Sequence, residues 1–280
     1  MLARTLCYAL NGIDAIPVSV EAYSSGGVQF QFSIVGLADT AVKESKDRVV
    51  AAIKNSGFAM PYGHTTISLS PADIKKEGAV FDLPIAVSIL SATNQLRNAA
   101  LESTLLIGEL GLDGRLTPVH GVLPMVISAI GDNIRSVILP YENAKEIEVL
   151  EGIDVFPAKS LYEVVNHLKG QSLIQKQAQK SYEDCLSKQE SPMDFSQVRG
   201  QGLAKRALEI AAAGQHSILL VGVPGSGKTM LARCLPGILP LMNREEAFET
   251  TRIYSSAGLL PAGSGLMTVR PFTRPRRPPS

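Results

Sequence analysis

The first 170 residues alternate between stretches whose apolar positions recur at helical spacing and stretches that alternate like strands. In ESKDRVVAAIKNSGF, Val49, Val50 and Ile53 recur at helical spacing behind a charged run, which predicts a helix from about Val42 to Ser56, stopping before Gly57. TTISLS alternates apolar and polar positions and predicts a strand. DLPIAVSILSATNQL is apolar on most sides, so a buried helix is expected with Pro84 in its first turn. LLIGELGLDGRLTPV sets Asp113-Gly114 between two apolar runs, the pair that supplies positive φ angles to a tight hairpin. Beyond it, VLPMVISAI reads as a helix, SVILP as a strand, ENAKEIEVL as a helix and IDVFP as a short strand. Ser160 and Glu163 stand in capping-box register ahead of the helical SLYEVVNHL. Asp73, Lys75, Lys76 and Glu77 read as a solvated turn before Gly78.

The sum is a mixed α/β domain over residues 1–170. Residues 171–192 are polar, rich in Gln, Lys and Ser, and lack a sustained apolar face, so they read as a linker. A second unit over residues 193–280 opens with a helix whose Leu203, Ala207, Leu208 and Ala211 line one face, with Gly214 at its end. HSILLVG follows, and its four consecutive apolar residues from Ile218 to Val221 predict a parallel strand covered on both faces. MLARCLPGILP reads as a short helix broken at Pro236, and REEAFETTRIYSS as a helix with Glu245 and Glu246 in its first turn.

Composition narrows the field. The 280 residues carry 27 basic and 26 acidic side chains, a formal net charge of +1, so nothing global drives the chain toward polyanions or anionic membrane. Any nucleic-acid contact has to be local. Cys7, Cys185 and Cys234 are widely spaced and odd in number, which argues against a disulfide framework or a zinc site and fits a reducing, cytoplasmic setting. His64, His120, His167 and His216 are scattered without ligand spacing. The N-terminus reaches Asn11 and Asp14 too soon for a signal-peptide core, and no segment approaches the length of apolar chain a membrane span needs.

The chemistry is concentrated in GVPGSGKT, Gly222 to Thr229, which matches the G-x-x-x-x-G-K-[ST] phosphate-loop pattern between an expected strand and an expected helix. A polyphosphate is wrapped by backbone N–H groups, so the chain must curve tightly with no side chain in the way; Gly222, Gly225 and Gly227 allow that. Lys228 supplies a point charge for the β- and γ-phosphates, and the Thr229 hydroxyl a ligand for Mg²⁺. Val223, Pro224 and Ser226 complete the loop, the last two mainly shaping its turn. The competing reading is an ordinary glycine-rich turn with Lys228 as a surface charge. Hydrolysis asks for more: an acid at the end of a second apolar strand, a γ-phosphate sensor and an arginine from a neighbour. After Thr229 the one candidate strand, ILPLMNREE, is spoiled by Pro240 and by Asn243 and Arg244.

The run DFSQVRGQGLAKRALEIAAAGQHSILLVGVPGSGKTMLARCLPGILP, with the later IYSSAGLL and RPF, resembles the magnesium-chelatase-like AAA+ ATPases of the ComM/YifB competence-protein family. Upstream, ESKDRVVAAIKNSGF, SPADIKKEGAVFDLPIAVSIL and IGELGLDGRLTPVHGVLP resemble that family's N-terminal domain. The resemblance implies a Lon-protease-like α/β domain over residues 1–170 followed by the beginning of a P-loop AAA+ domain, with ATP and Mg²⁺ as cofactors. It further implies a cytoplasmic, ring-forming homo-oligomer without membrane attachment that takes part in DNA processing during natural transformation, as a helicase-like motor of branch migration. Val198 and Gly200 would lie near the adenine, and Gly222 to Thr229 at the phosphates.

Two departures shape the expectation. Lon-like proteases use a Ser/Lys pair, but the segment corresponding to the serine reads GAVFDLP here, and no lysine occurs between Lys76 and Lys145, so the domain is expected to be proteolytically inactive. Family members carry a histidine pair shortly after RPF, where this chain has Arg276 and Arg277, and then continue through the Mg²⁺-binding acid, sensor and lid. The chain is therefore expected to be a C-terminally truncated member that binds ATP without efficient hydrolysis. Its tail RPFTRPRRPPS reads as a disordered end, with a basic DNA contact as the alternative. A non-enzymatic interaction module with an inert P-loop remnant is the competing function; a magnesium chelatase subunit fits the N-terminal domain less well.

Overall fold

Residues 2–24 form a hairpin of β1 (Leu2–Asn11) and β2 (Asp14–Ser24), paired from Leu2↔Tyr23 to Asn11↔Asp14. The computed structural model describes residues 1–25, 27, 31–96, 99–186 and 193–272. It divides into two units, Met1–Ser181 with Thr251–Leu266, and Tyr182–Thr250 with Met267–Ser280.

The first unit is built on a seven-stranded sheet in the order β3-β4-β2-β1-β5-β8-β9, completed by β3 (Gln31–Val35), β4 (His64–Ser70), β5 (Thr104–Leu106), β8 (Ser136–Pro140) and β9 (Asp154–Ala158). Four of its neighbour pairs are parallel and two antiparallel. α1 (Thr40–Asn55) starts where Asp39 accepts from the Val42 N–H at 2.8 Å and packs on α2 (Asp82–Ala92). α2 packs on β1 and β2 and, as its all-round apolar sequence predicts, is buried along nearly its whole length. α3 (Val122–Gly131) packs on the same two strands. Consecutive Cys7, Tyr8 and Ala9 of β1 are all buried, so the sheet is covered on both faces there. Burial pushes the Cys7 thiol up to about 12, leaving it an inert apolar filler.

The predicted hairpin at Asp113-Gly114 is present as β6 (Glu109–Leu110) and β7 (Leu116–Thr117), but its loop is wider than a two-residue turn. The Gly111 N–H donates to Arg115 and the Gly114 N–H to Gly111, and only Gly114 (φ +84) is left-handed; Asp113 instead accepts from the Arg115 N–H through its carboxylate. ENAKEIEVL departs from expectation too: Tyr141–Ile147 is a 3₁₀ turn, its Asn143 spent on both backbone groups of Val119. α4 (Leu161–Leu168) begins at Ser160, whose Oγ accepts from the Glu163 N–H, while Glu163 reaches back one residue further, to the Lys159 N–H at 2.7 Å.

Two charged stretches behave differently from their composition. Lys76, expected in a solvated turn, is fully buried, its ammonium donating to the Pro71 carbonyl, and burial lowers its pKa. The reason is backbone pairing, because Lys76 exchanges hydrogen bonds with Leu37 and Asp39 and is thereby drawn inward. The start of the expected linker is tied down as well: Gln177 and Lys180 donate main-chain N–H groups to Val155 and Glu148, and Gln177 and Gln179 donate side-chain amides to Ala144 and Leu150.

The second unit contains α5 (Tyr182–Cys185), α6 (Gly202–Gly214), α7 (Lys228–Cys234) and most of α8 (Arg244–Ser256). Its core is small: Val198, Leu208, Leu231 and Cys234 are buried, with Met193, Phe195, Ala204 and Leu220 packed against them. The buried face of α6 is rotated from the predicted one. Leu208, Ala211 and Ala212 are inside and Ala204 partly so, while Leu203 is 89% exposed and Ala207 is exposed. The helix ends on Gln215 in the left-handed region, one residue beyond Gly214. Asn243 and Glu246 cap α8 reciprocally, at 2.9 and 2.8 Å.

Candidate functional site

The phosphate loop follows α6 through residues 216–221. These were expected as a strand covered on both faces, and the structure corrects that: the segment joins no ladder among the described residues, and Leu219 and Val221 are 84% and 86% exposed. A parallel strand is covered by the strands beside it and the helices over them, and the described residues of the second unit contribute no other strand. Leu220 alone turns inward, onto the small core.

The loop itself is sharply formed. The Ser226 N–H donates to Val223 at 3.3 Å across a turn with Pro224 at its second position and Gly225 (φ +81) at its third, the placement a type II turn demands. Gly227 (φ +85) is the N-cap of α7, and the Leu231 N–H closes the first helical bond onto it. Gly225 has open space where a Cβ would sit, so the requirement there is conformational; at Gly222 a Cβ would stand 3.0 Å from Ser226 Oγ, so the requirement there is room. The Lys228 ammonium folds back over the loop, donating to the carbonyls of Gly222 and Val223 at 2.7 Å each and to Ser226 Oγ at 3.3 Å. Thr229 is exposed beside it. A glycine-lined curve bearing one lysine charge has the curvature and the charge that phosphate binding asks for.

The two residues expected at the base lie differently. Val198 is buried in the core, its N–H given to Phe195 at 3.1 Å and its carbonyl taken by the Lys205 ammonium at 2.5 Å, so its backbone is already engaged. Gly200 is exposed in a left-handed bend (φ +65) with space around it. A residue outside the expected set, Gln201, contacts the loop: its Nε2 donates to the Ser226 carbonyl at 2.9 Å. Glu245 and Glu246 open α8, and the Asn243 N–H, with Arg270 paired at 2.7 Å, holds the Glu246 carboxyl below its ordinary range. Arg276 and Arg277, in the tail expected as a disordered end with a basic DNA contact as the alternative, fall outside the described residues.

The segment expected to correspond to the Lon serine lies in the first unit. GAVFDLP runs into α2, where Asp82 is fully buried and accepts from Arg48 Nε at 2.7 Å and from the Leu110 N–H at 3.2 Å. Burial raises the Asp82 pKa against the pull of Arg48. Ser88 Oγ is turned onto the Ile85 carbonyl within the helix. Asp82 with Arg48 makes an ion pair, and Ser88 bonds within its own helix.

Comparison with known proteins settles the family. A family model described as subunit ChlI of Mg-chelatase matches residues 20–143, and one described as magnesium chelatase, subunit ChlI, matches residues 194–280. An uncharacterized protein of Mycobacterium tuberculosis is 41% identical over 274 residues, 98% of this chain and 54% of that protein. The competence protein ComM of Haemophilus influenzae is 40% identical over 255 residues, 91% of this chain and 50% of its own. YifB of Escherichia coli is 41% identical over 244 residues, 87% of this chain and 47% of its own. The chain belongs to the magnesium-chelatase-like ComM/YifB family. As a ComM/YifB-type chain it is a AAA+-type protein, and its mixed α/β sheet agrees with a further similarity to Lon protease 2 of Bacillus subtilis, 27% identical over 169 residues, 55% of this chain and 29% of that protein. The chain spans about half the length of the curated relatives it matches. No helix among the described residues is long and apolar enough to cross a membrane.

Proposed function

We propose that this chain binds ATP with Mg²⁺ at Gly222–Thr229, as the nucleotide-binding start of a AAA+ motor, and that residues 1–170 form a proteolytically inactive Lon-like domain. The observation that carries the reading is the loop: a Pro224-Gly225 turn, left-handed glycines at 225 and 227, and the Lys228 ammonium over the mouth. Lys228 would exchange its loop carbonyls for phosphate oxygens, and the Thr229 hydroxyl would hold Mg²⁺, which when bound neutralises the charge of the triphosphate. Hydrolysis would further need an acid that holds Mg²⁺, a γ-phosphate sensor and an arginine from a neighbour, so the proposal for Gly222–Thr229 is nucleotide binding. From the family and from the name of the Haemophilus influenzae relative, we propose that the whole protein works in the cytoplasm as a ring on DNA during natural transformation, by branch migration.

The test is titration of a fluorescent ATP analogue with Mg²⁺ against this chain and against Lys228→Ala. Saturable binding by the first and its loss in the second is expected; equal, negligible binding by both would overturn the reading. One observation favours a second reading, an interaction module with an inert P-loop: the exposed Leu219, Val221 and Val223 beside the loop. That reading expects the negligible pair of curves.

A further inference from the structure

The loop is gripped by a residue that the phosphate-binding pattern does not include. Gln201 lies 25 positions before Ser226 and donates its side-chain amide to the Ser226 carbonyl at 2.9 Å. Gln201 is also the N-cap of α6, with φ 60 and ψ 31, directly after left-handed Gly200. Glutamine has no special tolerance for that region: glycine enters it freely, and asparagine and aspartate are the enriched exceptions. Backbone conformation alone would favour glycine at 201, so the side chain is what offsets the strain. The segment is anchored at both ends, because Lys205 holds the Val198 carbonyl and the Lys205 N–H donates to Gln201 at 2.9 Å.

Peptide planarity gives the contact its consequence. The Ser226 carbonyl and the Gly227 N–H belong to one rigid unit and point in opposite directions, so holding the carbonyl toward Gln201 fixes the Gly227 N–H away from it. We propose that Gln201 is a positioning residue of the nucleotide site: its amide sets the Ser226-Gly227 peptide, keeps the loop in its phosphate-ready shape before nucleotide arrives, and joins segment 198–201 to the loop as one body. This rests on the ATP-binding reading, and preorganisation is its physical content, since a loop already in place loses less freedom on binding.

Gln201→Gly tests it, because glycine removes the amide while relaxing the backbone. Three quantities are compared with the unsubstituted 280-residue chain: melting temperature, amide exchange of residues 223–229 without nucleotide, and affinity for fluorescent ATP with Mg²⁺. The expected result is an unchanged or higher melting temperature, faster exchange confined to the loop, and about three- to tenfold weaker binding, the effect of one lost hydrogen bond. Unchanged loop exchange overturns the inference, as does faster exchange with undiminished ATP affinity. A drop of several degrees with faster exchange throughout the unit also overturns it, because Gln201 would then be merely structural. If the unsubstituted chain binds no ATP while loop exchange still rises in Gln201→Gly, the nucleotide reading falls and the positioning of the loop stands.

Discussion

Two short strings in this chain have nearly the same composition and opposite fates. Thr104-Leu105-Leu106-Ile107 lies at and just beyond β5, between β1 and β8, and is buried throughout; Ile218-Leu219-Leu220-Val221 leads into the phosphate loop, and only Leu220 packs onto a core. The difference lies in the neighbours. β5 has a parallel strand on each side, so its backbone groups are paired and its side chains find partners on both faces. The second string has no paired strand beside it among the described residues. An apolar run states a demand for burial, and whether the demand is met depends on residues far away in sequence.

The sharpest way to widen that contrast is to damage the first unit where its interior is charged. Arg48 and Asp82 pair at 2.7 Å with Asp82 fully buried, and the Leu110 N–H donates to the same carboxylate. Arg48→Ala would strand a desolvated carboxylate and is expected to cost about 3–5 kcal/mol of first-unit stability in urea unfolding followed by circular dichroism. Amide exchange of residues 218–221 should stay as it was. A cost below about 1 kcal/mol would mean that the pair contributes little beyond a surface bridge.

The comparison itself is tested by one substitution made twice. Leu105→Ala removes a fully buried side chain from the centre of the sheet and should cost about 2–5 kcal/mol. Leu219→Ala acts on a side chain 84% exposed and should stay within about 0.5 kcal/mol. Equal costs measured by the same unfolding experiment would show that the segment before the loop is covered in solution and would erase the distinction.

How much of this was legible in the sequence follows the same division. α1, β4, α2 and α4 could be read because their evidence is local: helical or alternating spacing, Ser160 three residues before Glu163, Pro84 in a first turn. The β1–β2 hairpin was legible but missed; Asn11-Gly12 is a turn signal, and Gly12 (φ +67) opens a two-residue loop between Asn11 and Asp14. Lys76 was misread because its burial is imposed by pairing with Leu37 and Asp39, far back in the chain. In the candidate site the phosphate loop was visible as a pattern, since its requirements fall on consecutive residues. Gln201 was not, because its partner is a main-chain carbonyl 25 residues on, and a glutamine before a helix carries no sign of where its amide will point.

The smallest expected effect concerns a carboxyl that the first unit buries without a cation bonded to it. Glu146 is 4% exposed; its Oε1 accepts from the Leu123 N–H at 2.9 Å and from the Ser255 hydroxyl, and burial raises its pKa above the ordinary 4.5 against those hydrogen bonds. A carboxyl whose folded value lies above its unfolded one holds its proton more tightly in the folded state. Its contribution is therefore full below about pH 4.5 and is lost as the pH rises through the raised value. Glu146→Gln keeps an oxygen for both donors and carries no charge to desolvate. It should match the unsubstituted chain near pH 4.5 and exceed it at pH 7 by on the order of 1 kcal/mol, read from thermal unfolding across that range. A variant that is less stable at pH 7 would show that the ionised carboxylate is better solvated than its burial implies, and that the first unit's interior is wetter around Ser255 than around β5.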